Sequence, residues 1–197
     1  MMRSNSKILI LVEGALMIAL ATILANIPFF TLPYGGGITL EMIPLVLMSF
    51  RHGTKWGAFT AFVHSVLQML LGFSNVMYCP TLFTQFACIM LDYILAFTVL
   101  GLANMVANLF GSHRQVGVAV GSLVVCLLRF VCSYISGAWL WGAYMPETFN
   151  NVWWYSFVYN GSYMIPNTII VVVVVSLLYK FAPKFFACQL KAAGSKA

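Results

Sequence analysis

Charge is what this chain has least of. Only 7% of its 197 residues are Asp, Glu, Lys or Arg, where a soluble domain carries about a quarter. Hydrophobic residues make up 62% and the mean hydropathy is +0.95. That balance excludes an ordinary soluble domain and identifies a single integral membrane domain spanning 1–197, in contact with the lipid bilayer throughout. Also missing is any hydrophilic stretch long enough to fold as a soluble module. The phosphate-binding pattern G-x-x-x-x-G-K-[ST] does not occur, so an energy-consuming step belongs to another chain. H-E-x-x-H, G-x-S-x-G and paired carboxylates are absent as well, which argues against an enzyme. The five cysteines (Cys79, Cys88, Cys126, Cys132 and Cys188) lie mostly in apolar segments with no C-x-x-C among them. They read as small buried hydrophobes, forming neither a disulfide framework nor a metal site.

What is present is a series of apolar runs of membrane length: Ile8–Phe30, Thr54–Phe73, Thr81–Leu109, Val116–Tyr144 and Trp153–Phe181. A further run, Thr39–Phe50, spans roughly 18 Å as a helix against a hydrocarbon thickness of about 30 Å. It must be extended by Thr31–Ile38, or its open end must be covered by protein or water. The preceding LPYGGG cannot hold a helix, because of its proline and three glycines. Non-helical backbone at membrane depth is tolerated only where it is buried in protein or lines a cavity. A mobile lid over a pocket, hinged at Gly35-Gly36-Gly37, is therefore expected.

The net charge of +6 is a topology signal and gives no reason to expect nucleic acid as a partner. With six spans, Arg3, Lys7, Arg51, Lys55, Arg114, Lys180, Lys184, Lys191 and Lys196 all fall on one side. The other side receives Glu147 and no lysine or arginine, which sets both termini in the cytoplasm. The basic, apolar N-terminus resembles a signal peptide. Glu13 interrupts it and cleavage would remove a whole helix, so it reads as an uncleaved first span.

The richest stretch runs from Leu128 to Pro166. Arg129 sits inside an apolar segment, followed by the small notch Ser136-Gly137. Then come Trp139, Trp141, Tyr144, Trp153, Trp154, Tyr155, Tyr159 and Tyr163. Rings with polar tips beside a permanent cation suit a pocket for a flat, polar small molecule. Asp92, roughly 16 Å along the fourth span, and Arg129, roughly 20 Å into the fifth, come to similar depth because the spans are antiparallel. Ionisable groups at membrane depth mark a functional site by default. A bare Asp92–Arg129 ion pair holding two helices together is the alternative. Polar stripes at helical spacing favour a shared site: Thr81, Gln85, Cys88 and Asp92; Arg129, Ser133, Gly137 and Trp141; Ser156, Asn160, Tyr163 and Asn167. Two small-residue pairs, Ala15-x-x-x-Ala19 and Gly117-x-x-x-Gly121, serve either bundle packing or docking of a partner membrane protein. His64 reads as a hydrogen-bonded bundle residue, and Glu41 as a residue of the outer interface.

These residues resemble the thiamine-specific substrate-binding (S) subunits of energy-coupling factor transporters. The likeness is carried by EGALMIALA, TLEMIPLVLMSFRHG and LDYILAF. Its strongest part is LLRFVCSYISGAWLWGAY with PETFNNVWWYSFVYNGSYMIP. It implies a six-transmembrane-helix, all-α bundle with thiamine bound under the loop between the first two spans. It further implies a membrane coupling subunit and two ATPase subunits as partners, with ATP used by them and no cofactor in this chain. The resemblance places Asp92, with Tyr93 beside it, against the aminopyrimidine. Arg129 matches a basic residue of span five, Gly137 the small notch, Trp141 the stacking ring, and Tyr155 and Asn160 the polar residues of span six. Ala15 and Ala19 match the docking face. Ser133 stands where the family usually has a histidine, which opens the alternative of a related ligand, a pyrimidine precursor or another vitamin. Gln85 is displaced from the family's glutamine and takes no role. A structural membrane protein, with Asp92 and Arg129 only pairing, is the remaining alternative.

Overall fold

The computed structural model describes residues 2–32 and 36–186, with side chains from Lys7 onward. Helices account for most of it. They are α1 (Met2–Ala25), α2 (Met42–His52), α3 (Thr54–Leu71), the short α4 (Phe73–Val76), α5 (Leu82–Phe110), α6 (Arg114–Trp139) and α7 (Val152–Phe181). Four of these, α1 from Lys7 together with α5, α6 and α7, are long and apolar enough to cross a membrane. Their outward faces carry Leu, Ile, Val and Phe in the open, Ile8, Leu16, Leu123 and Ile169 among them, as a lipid solvent requires. Lys191, Lys196 and Cys188 lie outside the described residues.

The centre of the bundle is its shortest principal helix. Eight of the 11 residues of α2 are buried, with Met42, Leu45, Val46, Met48 and Phe50 at 1% exposure or less. Protein therefore surrounds this segment on nearly every side, which removes the difficulty of its length. Pro44 is tolerated because the first helical turn has no intrahelical acceptor to lose. Gly53, at φ 88°, makes the one-residue turn into α3. The segment before α2 forms a small antiparallel hairpin, β1 (Phe30–Thr31) with β2 (Gly37–Ile38). The loop residues Pro33, Tyr34 and Gly35 lie outside the described residues. Asn167 of α7 secures the hairpin's exit: its Oδ1 accepts from Thr39 N–H at 3.0 Å and its Nδ2 donates to the Gly37 carbonyl at 2.8 Å. Backbone groups left open by the non-helical strand are thus satisfied by one amide.

α1 ends at Ala25, five residues short of the apolar run, because Pro28 follows and the chain turns into the hairpin. α5 departs most from a regular helix. Capped by a reciprocal Thr81–Thr84 box, it widens into a π-helical stretch over Ile89–Leu95 and tightens into a 3-10 turn over Val99–Leu102. At the tightened turn Ser49 of α2 takes over freed backbone groups. Its hydroxyl donates to the Gly101 carbonyl at 2.5 Å and accepts from Asn104 N–H at 3.1 Å. A side chain inserted into the ladder is a recognised cause of such irregularity. Gly101 makes the crossing possible, since a Cβ there would fall on the Ala58 backbone of α3. The Gly117/Gly121 pair is buried against Ala107 and Ala103 of α5, which is bundle packing. Ala15 and Ala19 are exposed on the outward side of α1.

The end of the bundle away from the hairpin is tied by charge. Arg51 of α2 holds Glu13 of α1 through two 2.7 Å bonds, and His52 reaches the same carboxylate. Arg51 also donates to the Phe185 carbonyl at 2.6 Å, while Phe186 packs against Phe50 and Tyr179. Substituting Gly101→Val should lower the melting temperature in detergent by an amount reflecting about 1–3 kcal/mol or more of overpacking. Gly161→Ala, where a Cβ meets nothing nearer than 3.7 Å, should be neutral or mildly stabilising. Equal melting temperatures for Gly101→Val and the wild type would contradict this packing.

Candidate functional site

Between the hairpin and α3, α5, α6 and α7 lies a cavity of about 430 Å³, within the range of small-ligand pockets. All eight residues that the sequence assigns to a ligand line it: Asp92, Tyr93, Arg129, Ser133, Gly137, Trp141, Tyr155 and Asn160. The folding reasons differ from one to the next. Asp92 and Tyr93 are consecutive, yet both reach the cavity from the π-helical stretch, whose wider turn departs from α-helical side-chain spacing. Tyr93 anchors itself by donating to the Gly72 carbonyl at 3.0 Å. Gly137 allows α6 to approach α7, because any Cβ would fall on Ser156 and Asn160. Trp141 lies beyond the end of α6, on the bend leading to a 3-10 turn over Gly142–Tyr144. Its indole is held among Tyr78 and Tyr144, with ring centroids 6.4 and 5.9 Å away.

The charges are arranged differently from the simplest expectation. Arg129 pairs with Glu41, Nη2 to Oε1 at 2.7 Å, with both side chains close to nine-tenths buried. Its guanidinium also lies 3.9 Å over the Phe97 ring, a desolvated cation–π arrangement. Glu41 is therefore a buried residue lining the cavity at the N-terminus of α2, where the helix dipole favours an anion. It does not sit at an exposed interface. Asp92 accepts from the Trp141 indole N–H at 3.0 Å and from the Cys88 thiol at 3.4 Å. Two separate polar centres thus face one cavity, and Asp92 and Arg129 do not pair with each other.

Several lining residues escape sequence reasoning. Glu41, Thr39, Gln68 and Asn75 belong to short or unpatterned segments and so fall outside every polar stripe. The signal available for Glu41 was a carboxylate opening a run of buried apolar residues. The stripes themselves line the cavity only in part. Gln85 donates to the Cys79 carbonyl at 3.1 Å, and Ser156 to the Tyr134 carbonyl at 2.7 Å. Tyr163 lines the cavity and donates to Asn160 Oδ1 at 2.7 Å, fixing that amide. Of the rings in the aromatic stretch, Trp139, Trp153 and Trp154 face outward, 47–59% exposed. They suit the amphipathic interface of a bilayer. His64 is fully buried, edge-on to Phe97 and near the Thr22 hydroxyl. Among the described residues no cluster of His, Cys, Asp or Glu is built to hold a metal. Burial pushes the thiol of Cys79, which precedes α5, upward.

Comparison with known proteins gives this geometry a context. The family model described as Thiamine transporter protein matches residues 11–187. The chain belongs to that family. It is 34% identical to the thiamine transporter ThiT of Bacillus subtilis strain 168, over 93% of this chain and 96% of that protein. It is 27% identical to the thiamine transporter ThiT of Lacticaseibacillus paracasei strain ATCC 334, over 95% of each. A solved structure of ThiT from Listeria monocytogenes superposes with a TM-score of 0.74 at 24% identity. That match covers 92% of this chain and 99% of the other, and it establishes the shared fold. The chain is a multi-pass membrane protein of a transporter family, and not an enzyme.

The buried pair generates a test. Glu41→Gln and Arg129→Met each leave one charge uncompensated and should destabilise by about 3–5 kcal/mol. The double substitution should recover much of that loss in detergent thermal melts. The Asp92→Asn/Arg129→Met combination should show no such recovery. Recovery in the second combination and not in the first would reverse the pairing.

Proposed function

We propose that this chain is the thiamine-binding S component of an energy-coupling factor uptake system. It captures thiamine from outside for ATP-driven import by other subunits. The observation that carries the reading is the cavity's composition. Its charged lining residues are Glu41, Asp92 and Arg129, so with both carboxylates ionised the wall carries one negative charge in excess. Thiamine is a monocation with an aminopyrimidine at one end and a thiazolium at the other. The carboxylate of Asp92 suits the amino group through a charge-assisted bond. The faces of Trp141 and the tyrosines suit the thiazolium, each desolvated contact contributing about 2 kcal/mol. Nanomolar capture needs about 12 kcal/mol, so several contacts and closure of the chain over the ligand act together.

In this reading the chain crosses the bilayer six times, with α2 and its preceding hairpin making the second crossing and both termini in the cytoplasm. The β1–β2 hairpin acts as the lid. A membrane coupling subunit docks on α1 at Ala15 and Ala19, whose exposure suits a helix–helix contact. Two ATPase subunits supply the energy. Neither a cofactor nor nucleic acid has a part.

One feature favours a second reading, in which the ligand is a related pyrimidine compound. Ser133 lines the cavity where the resemblance puts an imidazole. A competition panel of thiamine, its pyrimidine moiety and its thiazole moiety separates the two, and Ser133→His should raise thiamine preference if the imidazole matters.

Purified protein titrated with thiamine should show partial quenching of tryptophan fluorescence at or below micromolar ligand. The quench should be lost in Trp141→Phe, since Trp141 alone of the five tryptophans lines the cavity. Asp92→Ala should weaken binding by about a hundredfold, as loss of a bond to a buried charge implies. An absent quench, or unchanged affinity in Asp92→Ala, would overturn the proposal.

A further inference from the structure

The Asp92 carboxylate is held unevenly. Both side-chain donors that bond to it meet the same oxygen: Trp141 Nε1 is 3.0 Å from Oδ2, and Cys88 Sγ is 3.4 Å from it. Among the described residues no donor reaches Oδ1 in hydrogen-bonding geometry. A third donor, the buried Ser136 hydroxyl, lies against this carboxylate and interacts with it without full hydrogen-bond alignment. The second torsion of an aspartate is soft and roughly two-fold, so an unrestrained carboxylate would exchange its oxygens freely. Two donors on one oxygen remove that freedom.

We propose that Cys88 and Trp141 are positioning residues, holding Oδ2 so that Oδ1 is presented to the cavity as the acceptor for an N–H of the ligand. The inference rests on the thiamine reading above, in which that N–H belongs to the aminopyrimidine. Two features of the fold sustain it. Cys88 immediately precedes the π-helical stretch that carries Asp92, so the widened turn sets the Cys88–Asp92 approach. Its thiol is fully buried, in an apolar cluster with Val76 and Cys79 against which Trp141 packs. No water competes there for the weak S–H donor. Trp141 therefore has two separable tasks: its ring face lines the cavity while its N–H orients the acid. The thiol at position 88 is more than a small core hydrophobe, because one hydrogen bond connects it to the ligand's acceptor.

The test is isothermal titration of the detergent-solubilised full chain with two probes. One is thiamine; the other is oxythiamine, in which a carbonyl oxygen replaces the amino group. The wild type should prefer thiamine. Cys88→Ala should narrow that preference about threefold, as expected for a weak donor, and Trp141→Phe about tenfold, as for a neutral donor on a charged acceptor. Cys88→Ser, which keeps a hydroxyl donor, should restore the preference. Cys88→Val replaces Cys88→Ala if the latter does not fold. A preference unchanged in Cys88→Ala, or affinity lost equally for both probes, would overturn the positioning role while leaving thiamine binding intact. A wild-type protein that binds neither probe removes the thiamine reading and this inference with it.

Discussion

The ion pair between Glu41 and Arg129 is the constraint on which the rest of the structure depends. Taking two charges out of water costs several kcal/mol each, and their attraction offsets this only in good geometry. Here the geometry comes from three elements at once: the N-terminus of α2, the middle of α6, and the Phe97 ring of α5. A pair of this kind is weak evidence for stability but fixes register well. It locks the buried helix α2 at its cavity end, while Arg51 and His52 lock its other end to Glu13. A helix too short for an ordinary crossing is thereby held at both termini and packed on nearly all sides.

That arrangement also divides the cavity. Arg129 pairs with Glu41 through Nη2 while its buried Nη1 has no hydrogen-bond partner among the described residues, and Asp92 bonds Trp141 and Cys88 instead of Arg129. In the proposed function a cationic guest supplies the charge that would balance Asp92. Around this division the helices depart from regularity where they line the cavity. The π-helical stretch brings Asp92 and Tyr93 into the same cavity, and the bend after Trp139 brings Trp141 in. The 3-10 turn at Val99–Leu102 is different in kind, since Ser49 satisfies it and it serves packing. Elsewhere the apolar faces are as plain as lipid permits.

Much of this was legible from residue types. Hydropathy located the long helices to within a few residues, because apolar length is a requirement of the bilayer itself. The cavity-lining residues were legible where chemistry is unusual for its depth, as with Asp92 and Arg129, or where a family motif carried them, as with Tyr155 and Asn160. Glu41 was misplaced for a physical reason: a carboxylate at a helix end looks interfacial until the tertiary fold buries that end. Trp139, Trp153 and Trp154 look like Trp141 in sequence but face outward, because composition cannot tell which side of a helix meets lipid. The four-residue spacing already set Cys88 beside Asp92, but the π and 3-10 stretches leave no periodic signature, so the contact of Ser49 with Gly101 could be read only from the structure.

The central claim is that a cationic guest completes a cavity in which Asp92 and Arg129 do not neutralise each other. A structure of the purified chain saturated with thiamine tests it most directly. The account predicts the aminopyrimidine against Asp92, the thiazolium among the rings that include Trp141, and the Glu41–Arg129 bond intact. Thiamine bound elsewhere, or Asp92 turned onto Arg129 with the cavity collapsed, would contradict it.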